Sequence, residues 1–587
     1  MNQESGKQKS RKPMGKGKSI LVNLLVTLVV GLVYFYFTIP AINPQSADFY
    51  SFLFLLCVVY MVSALVTSGF RGGQYGRARV GDYFRFIKQQ CLPVGVFMLV
   101  VVAVALVGQL LSLPIFRAGS YRELLTVEDG TFSEDISQIS FDKIPTLDRA
   151  SAEYLGDRQM GTLSDMVSQF EYPSDESVQI NYQGRPVRVS PIAYADLIKW
   201  FTNRGEGLPA YVVVDMVTQE ANVVRLQEGM KYSFSEPLNR NIMRHLRFQY
   251  PTYIFSSPRF EIDEEGQPWW VAPRVVKTIG LFGGADIKGA VLCNAITGES
   301  TYYDVADVPT WVDNVYTPQL IMEQYNYHGT LVHGFINSVL GQRDVTMTTE
   351  GYNYIALNDD VYVYTGVTSA NADQSNLGFL LSNQRTKETK FYTAPGATEN
   401  AAKGSAQGEV QDLGYTATFP LLLNIAGEPT YFIPLKDANN LVKSYAMVNV
   451  AQYQVVAVAP SVAQCEQNYI RLLAEKGTMP GGNSPYCKGT VVYAEDEEAF
   501  NQYMLEMRGE EGTTPDDVIA AYAKGAAENY SWVFDTLGGV VEEASIIAPT
   551  TKDDPLKSTP EWPEFEHCYA LGKLTVAGKK DVEIKGD

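Results

Sequence analysis

Histidine and cysteine, the residues that most often mark a metal or nucleophilic site, are scarce: four and six in 587 residues. No Cys-x-x-Cys pair and no His-Glu-x-x-His occurs, which excludes the common dithiol and zinc frameworks. His328 and His333 stand five apart, on different faces of a helix, whereas a zinc pair needs one face. A Gly-x-Ser-x-Gly elbow, Ser-x-x-Lys with its partner motifs and a Gly-x4-Gly-Lys-Ser/Thr phosphate loop are also missing. No catalytic, cofactor or metal residue is assigned on these grounds. Glu261, Asp263, Glu264 and Glu265 run into Gly266, but without the Asp-x-Asp-x-Asp-Gly order of a Ca²⁺ loop they read as a solvated turn. Cys293, inside an apolar strand, reads as packing. Gly280–Gly284 reads as a hairpin connection.

Charge is lacking in three places. Residues 20–39, 49–67 and 92–115 contain no Asp, Glu, Lys, Arg or His. Each is long enough to cross about 30 Å of hydrocarbon, so three transmembrane helices are expected behind a basic tail, 1–19. Residues 1–115 hold 11 Lys/Arg against 3 Asp/Glu, leaving 36 basic and 63 acidic residues for the remainder. Nucleic acid is therefore no partner for the acidic bulk of the chain. Lys7–Lys18 precede the first span, the 39–49 connector has no cation, and Arg71–Lys88 lie between the second and third. Basic loops stay cytoplasmic, so the N-terminus is expected inside and everything after about 116 outside. Spans without ionisable residues also argue against an ion or substrate path.

The remainder divides by pattern. Residues 116–180 are polar and acidic, and read as a membrane-proximal stalk. From 181 short strand patterns alternate with helical ones, and a hairpin recurs. Its copies are Tyr211–Asp215 with Thr218 and Glu220, Ala290–Asn294 with Thr297 and Glu299, and Phe379–Asn383 with Thr386 and Glu388. Each is an apolar strand, Asp/Asn-x-x-Thr-x-Glu, then a second strand. The Asx side chain can bond backbone two residues on, which turns the chain. A fourth, decayed copy runs from Met447–Asn449 into Gln454–Ala457. Gly266-Gln-Pro268 and Gly427-Glu-Pro429 open a second repeated element, two strands joined at a glycine with prolines at the strand ends. Helices are expected at Ile192–Asn203 (capped by Ser190-Pro191), Pro237–Phe248 and Pro318–Leu340. Two α+β repeat regions result, 181–310 and 311–460. Residues 461–587 follow as a helical region (Ser461–Lys476, Ala494–Glu506, Thr514–Leu537) with a tail whose clearest strand signal is Lys573–Val576.

The repeated hairpin resembles the PepSY family, whose modules pair a helix with an antiparallel sheet carrying a strand-Asp-x-x-Thr-Gly-Glu-strand turn. The pattern is fullest at Asn294–Glu299; Gln219 and Lys387 stand where the other copies would carry the glycine. The resemblance implies tandem helix-plus-antiparallel-sheet units, PepSY- or cystatin-like, of a binding or restraining kind without catalytic residues. The layout of three N-terminal spans and a large acidic ectodomain is similar to that of multi-pass membrane proteins of Gram-positive bacteria.

Two further features bear on function. Cys465 and Cys487 flank a Gly-rich loop, and a disulfide between them would contribute about 3 kcal/mol through the unfolded chain. Tyrosine is frequent, at 36 residues. Trp269, Trp270, Tyr302, Tyr303, Tyr352, Tyr354, Tyr362 and Tyr364 form the densest aromatic groups, candidates for a binding surface if exposed and for sheet core if not. The expectation is a non-catalytic, membrane-integral scaffold that assembles or restrains other envelope proteins. An envelope hydrolase of peptide or glycan, using carboxylates or Cys293, is the alternative; an accessory subunit of a transport or export complex is a third reading. Oligomeric state is not legible.

Overall fold

The computed structural model describes residues 15–67, 77–136, 144–357, 360–369 and 375–475, together with the short strands β23 (Val533–Phe534), β24 (Gly539–Ile546) and β25 (Ala570–Val576). Three long apolar helices come first: α1 (Lys16–Thr38), α2 (Ala47–Thr67) and α3 (Arg77–Leu111). The first ends where Ile39, held out of the helical region by Pro40, turns left-handed at φ 42°. Deep in the bundle the Asn23 amide donates to Gln90 Oε1 (3.1 Å) while its oxygen accepts from Ser63 (2.9 Å) and Thr67 (3.1 Å). A polar group surrounded by apolar side chains needs such partners, so this cluster joins all three helices.

Beyond α3 come α4 (Pro114–Arg122), β1 (Glu128–Gly130) and α5 (Phe132–Asp135), then four helix-and-sheet modules. The first has α6 (Arg149–Gly161), β2 (Phe170–Glu171), β3 (Val178–Tyr182), β4 (Arg185–Pro191), β5 (Ala193–Tyr194), α7 (Leu197–Asn203), β6 (Leu208–Asp215) and β7 (Ala221–Met230). Its main sheet runs β3-β4-β6-β7. The second has α8 (Ile242–Gln249), β8 (Ile254–Phe255), β9 (Arg259–Ile262), β10 (Pro268–Ile279), β11 (Gly283–Asn294) and β12 (Ser300–Asp304). The third has α9 (Pro318–Thr330), α10 (Gly334–Ile336), β13 (Thr346–Thr348), β14 (Asn353–Leu357), β15 (Asp360–Ser369), β16 (Ser375–Asn383) and β17 (Thr389–Ala397). The fourth has α11 (Glu399–Glu409), β18 (Thr416–Ala417), β19 (Leu421–Ile425), β20 (Glu428–Lys436), β21 (Val442–Asn449), β22 (Val456–Ala459) and α12 (Val462–Glu475). Residues 116–180 do not stand apart as a stalk: β1 pairs in parallel with β17, and α6 packs over the first sheet.

Local signals set the turns, and tertiary pairing moved several helix boundaries. Asp215, Asn294 and Asn383 each accept from the backbone N–H groups two and three residues on, at 2.8–3.0 Å. Gln219 (φ 64°), Gly298 (φ 78°) and Lys387 (φ 67°) are all left-handed, so the turn keeps its shape where glycine is replaced. Ser190-Pro191 does not cap a helix. Both residues lie in β4, paired with Val212 and Tyr211, and α7 starts six residues later under an Asp196 cap. The segment from Pro318 breaks after Thr330, and Gly334 (φ 81°) restarts it as α10. Pro273 lies inside β10 rather than at its end. It occupies the gap between the partners β9 and β8, where no donor is required. Of the expected C-terminal helices, Ala494–Glu506 and residues 514–532 lie outside the described residues, and Val533–Phe534 is strand. Lys573–Val576 lies within β25.

A buried carboxylate pair ties three modules together. Glu261 on β9 accepts from the backbone N–H groups of Asp313 (2.9 Å) and Asn314 (3.0 Å). Asp313 accepts from Asn181 N on β3 (2.6 Å), and the Asn314 amide donates to Gln179 O (3.0 Å). Two residues on, the N–H groups of Val315 and Tyr316 both reach Gln384 O beyond β16. Complete burial pushes the Glu261 carboxyl up to about 7 against these hydrogen bonds, and burial beside Glu261 raises Asp313. The folded chain therefore holds more protons than the unfolded chain between about pH 4.5 and about 7, and stability falls as pH rises through that window. Thermal unfolding of the full chain in detergent should show a lower midpoint at pH 8 than at pH 5. Glu261→Gln should flatten that difference while losing about 1–3 kcal/mol at pH 5, because its amide leaves one buried N–H unmatched. An unchanged pH profile in the variant would remove Glu261 from this role.

Candidate functional site

The described residues contain no cluster of three or more His, Cys, Asp or Glu able to hold a metal. His333 Nε2 meets Asp344 (2.9 Å) and His328 Nδ1 meets the Arg122 carbonyl (3.2 Å), so the two histidines face different neighbours. Cys293 is fully buried and burial pushes its thiol up to about 12, which makes it packing rather than a nucleophile. Cys465 is likewise buried, donating to the carbonyls of Tyr445 and Ala457; Cys487 lies outside the described residues. The acidic run before Gly266 splits. Glu261 is buried, while Asp263 caps the turn through Glu265 N and Gln267 N and accepts from Trp269 Nε1 (2.8 Å).

The aromatics singled out as surface candidates form no exposed face. Trp270 and Tyr364 are fully buried. Trp269, Tyr303, Tyr352 and Tyr354 pack on the core shared by the second and third sheets, and Tyr302 and Tyr362 on the flanking cores. Strand alternation puts Tyr352 with Tyr354, and Tyr362 with Tyr364, on one face each, and both faces turn inward, while the adjacent Trp269/Trp270 and Tyr302/Tyr303 split between two cores.

A different set of aromatics lines a cleft of about 610 Å³ on the first module. One wall is the β2–β5 ladder, in which Phe170 pairs with Tyr194, continued by the 172–176 segment. The other is α7, whose N-cap Asp196 accepts from Ile198 N (2.7 Å) and Lys199 N (2.8 Å). Tyr172, Tyr194, Trp200 and Phe234 form the apolar lining. Gly156 of α6 makes room for the Tyr172 ring, since a Cβ there would sit 2.7 Å from it. Behind this lining the buried Glu236 accepts from Trp200 Nε1 (2.7 Å) and Tyr194 Oη (3.3 Å), which fixes both rings.

The polar lining has one sign. Glu171, Asp175, Glu176 and Asp196 contribute four carboxylates, and no lysine or arginine lines the cleft. Glu176 is half-buried with no ion pair among the described residues, and burial, with Asp175 adjacent, pushes its carboxyl up to about 8. A desolvated acid without a counter-ion is one a cation would relieve. These residues are spread from Glu171 to Glu236 over a ladder, a helix and a linker, and no local pattern joins them. A second cavity, of about 510 Å³, lies where α2 and α3 meet the second module; its walls are apolar and Lys277 is its one charged lining residue.

No family model and no curated protein matches this sequence. Among solved structures, the Bombyx mori GH32 beta-fructofuranosidase in complex with sucrose is 11% identical over 52% of this chain and 53% of its own, with a TM-score of 0.18. A PL25 polysaccharide lyase, an ulvan lyase, is 9% identical over 51% and 55%, with a TM-score of 0.15. This chain thus spans about half the length of each, and likeness at that level says nothing of its activity.

The protonated Glu176 predicts a pH signature of its own. The unfolded chain ionises this group near 4.5 and the fold near 8, so its ionisation costs stability progressively between those values. Glu176→Gln should match the parent's thermal midpoint at pH 5 and exceed it increasingly up to about pH 8. Equal midpoints at pH 8.5 would show that the carboxyl is solvated.

Proposed function

We propose that this chain is a membrane-integral, non-catalytic binding protein whose modules lie on the extracytoplasmic side and hold partner proteins, with the cleft on the first module taking a cationic side chain. The observation that carries the reading is the cleft's composition: four carboxyl groups, an aromatic lining and no lysine or arginine among the lining residues. Aromatic faces and carboxylates both attract a lysine or arginine, and a desolvated site strengthens the attraction. The partner segment is therefore a basic stretch of another envelope protein.

Sidedness rests on charge. Lys16 and Lys18 open α1 at the end opposite the one whose last residues meet the second module, as the positive-inside rule places a cytoplasmic end. The cation-free 39–46 connector docks on the second module, with Ile42 N reaching Pro251 O (2.8 Å). PepSY-like character for the repeats is supported by the three superposable Asx turns and by the antiparallel sheet in each module. Against the hydrolase alternative, Cys293, the one residue it named, is fully buried.

The full chain in nanodiscs should bind a lysine-rich peptide and not its acetylated form. Affinity should rise as pH climbs through about 8, where Glu176 ionises. Trp200→Ala should weaken binding at least tenfold, and Glu176→Gln should abolish the pH dependence. Equal binding of the acetylated peptide would sink the proposal. So would peptide turnover that Glu176→Gln removes, which would assign a hydrolase instead.

A further inference from the structure

Among the exposed apolar side chains of the four-module body, two groups of three stand out by their exposure. On α7, Leu197 is 69% exposed, Ile198 72% and Phe201 61%. On α10 and the turn that continues it to Gly341, Ile336, Val339 and Leu340 project, the last 80% exposed.

Both places adjoin the point where a membrane helix leaves the bilayer. Beside α7, Arg240 Nη1 donates to the Arg204 carbonyl (2.7 Å), and the neighbouring Asn239 accepts from Tyr36 Oη (2.8 Å) on the last turn of α1. From α8, Arg244 Nε reaches Tyr36 O (2.9 Å) and Arg247 Nε reaches Ile39 O (3.0 Å). Phe248 packs edge-on against Phe35. On the other flank Phe335 packs with Tyr121 of α4, the helix that directly follows α3. Ile115 and Phe116 of α4 are exposed there as well.

We infer that the modules rest on the leaflet from which they emerge, on two apolar feet formed by α7 and by the turn from Gly334 to Gly341. The partner is a lipid surface. Continuity decides this: the ends of α1 and α3 fix the level of the boundary, and the feet stand beside those two ends. One bilayer surface covers both at once. Arg204, whose guanidinium lies 4.5 Å from the Phe201 ring, and the exposed Arg343 supply cations at phosphate height. The second cavity opens at this boundary, between α2, α3 and the β10–β11 hairpin tip, where Leu281 N and Phe282 N both donate to Ser112 Oγ (3.0 Å). This inference stands whether or not the cleft binds a cation.

The test uses the full chain in nanodiscs with an environment-sensitive noncanonical fluorophore at position 198, 340 or 413. Leu413, 60% exposed on the fourth module, is the control. Nitroxide-labelled phospholipid should quench the probes at 198 and 340 and spare the one at 413, and aqueous iodide should give the opposite order. Probes at 198 and 340 that behave like the one at 413 would overturn the inference, and quenching at one alone would overturn the two-footed arrangement. Photolabelling of the unsubstituted protein with a diazirine lipid repeats the test without a variant. Adducts are expected at 197–201 and 336–340, and adducts confined to α1–α3 would refute both feet.

Discussion

The arrangement of the first three modules depends on how two buried acids are satisfied. Among the described residues, Glu261 and Asp313 have no cation within hydrogen-bonding distance; backbone N–H groups do that work instead. Such donors cannot rotate away as a lysine side chain can. The donors come from β3 of the first module and from the 313–314 segment between the second and third, so the acids hold those elements to fixed positions. The Gln384 carbonyl, accepting from both Val315 and Tyr316, extends the constraint to the third sheet. Three modules that could have been beads on a chain are held together, and a cleft at the edge of the first acquires a defined orientation to the other two.

The repeated turns serve the same end. At two of the three turns the left-handed residue reaches another module. Gly298 lies against the Tyr232 ring, where a Cβ would come within 2.3 Å, so only glycine fits. Gln219 instead reaches Tyr445 Oη of the fourth module (3.0 Å), and Lys387 reaches Asp286 of the second (2.8 Å). The non-glycine residues bear a left-handed strain of about 1 kcal/mol or more, and each returns a contact that glycine cannot make. Departure from the sequence pattern thus marks a contact between modules.

That contrast explains what was legible in the sequence. Asp215, Asn294 and Asn383 act within four residues of themselves, so their turns could be read directly. The three apolar helices could be read because hydrocarbon imposes length and composition on each separately. The cleft could not. Tyr172 lies on a loop, Tyr194 on a two-residue strand, Trp200 on a seven-residue helix and Glu236 on a linker, and no periodicity spans them. The Ser190-Pro191 signal pointed to the right helix and the wrong start, because pairing of β4 with β6 outweighed a local cap. The alternating pairs Tyr352/Tyr354 and Tyr362/Tyr364 share a face without showing which way it turns; that is settled by the core packed opposite.

The membrane helices do more than tether. Their connector donates to the second module at Pro251 and Thr252, and Gln45 reaches Lys277 O. Arg244 and Arg247 return hydrogen bonds to the last carbonyls of α1, groups a helix end leaves unpaired. The far end of the bundle is joined through Asn23, so the three helices and the second module form one mount. An unrelated single-span anchor would preserve each sheet, since no strand pairs with the helices. It would lose the hydrogen bonds that set the angle between the modules and the helices. The joint between helices and module is therefore a built part of the fold.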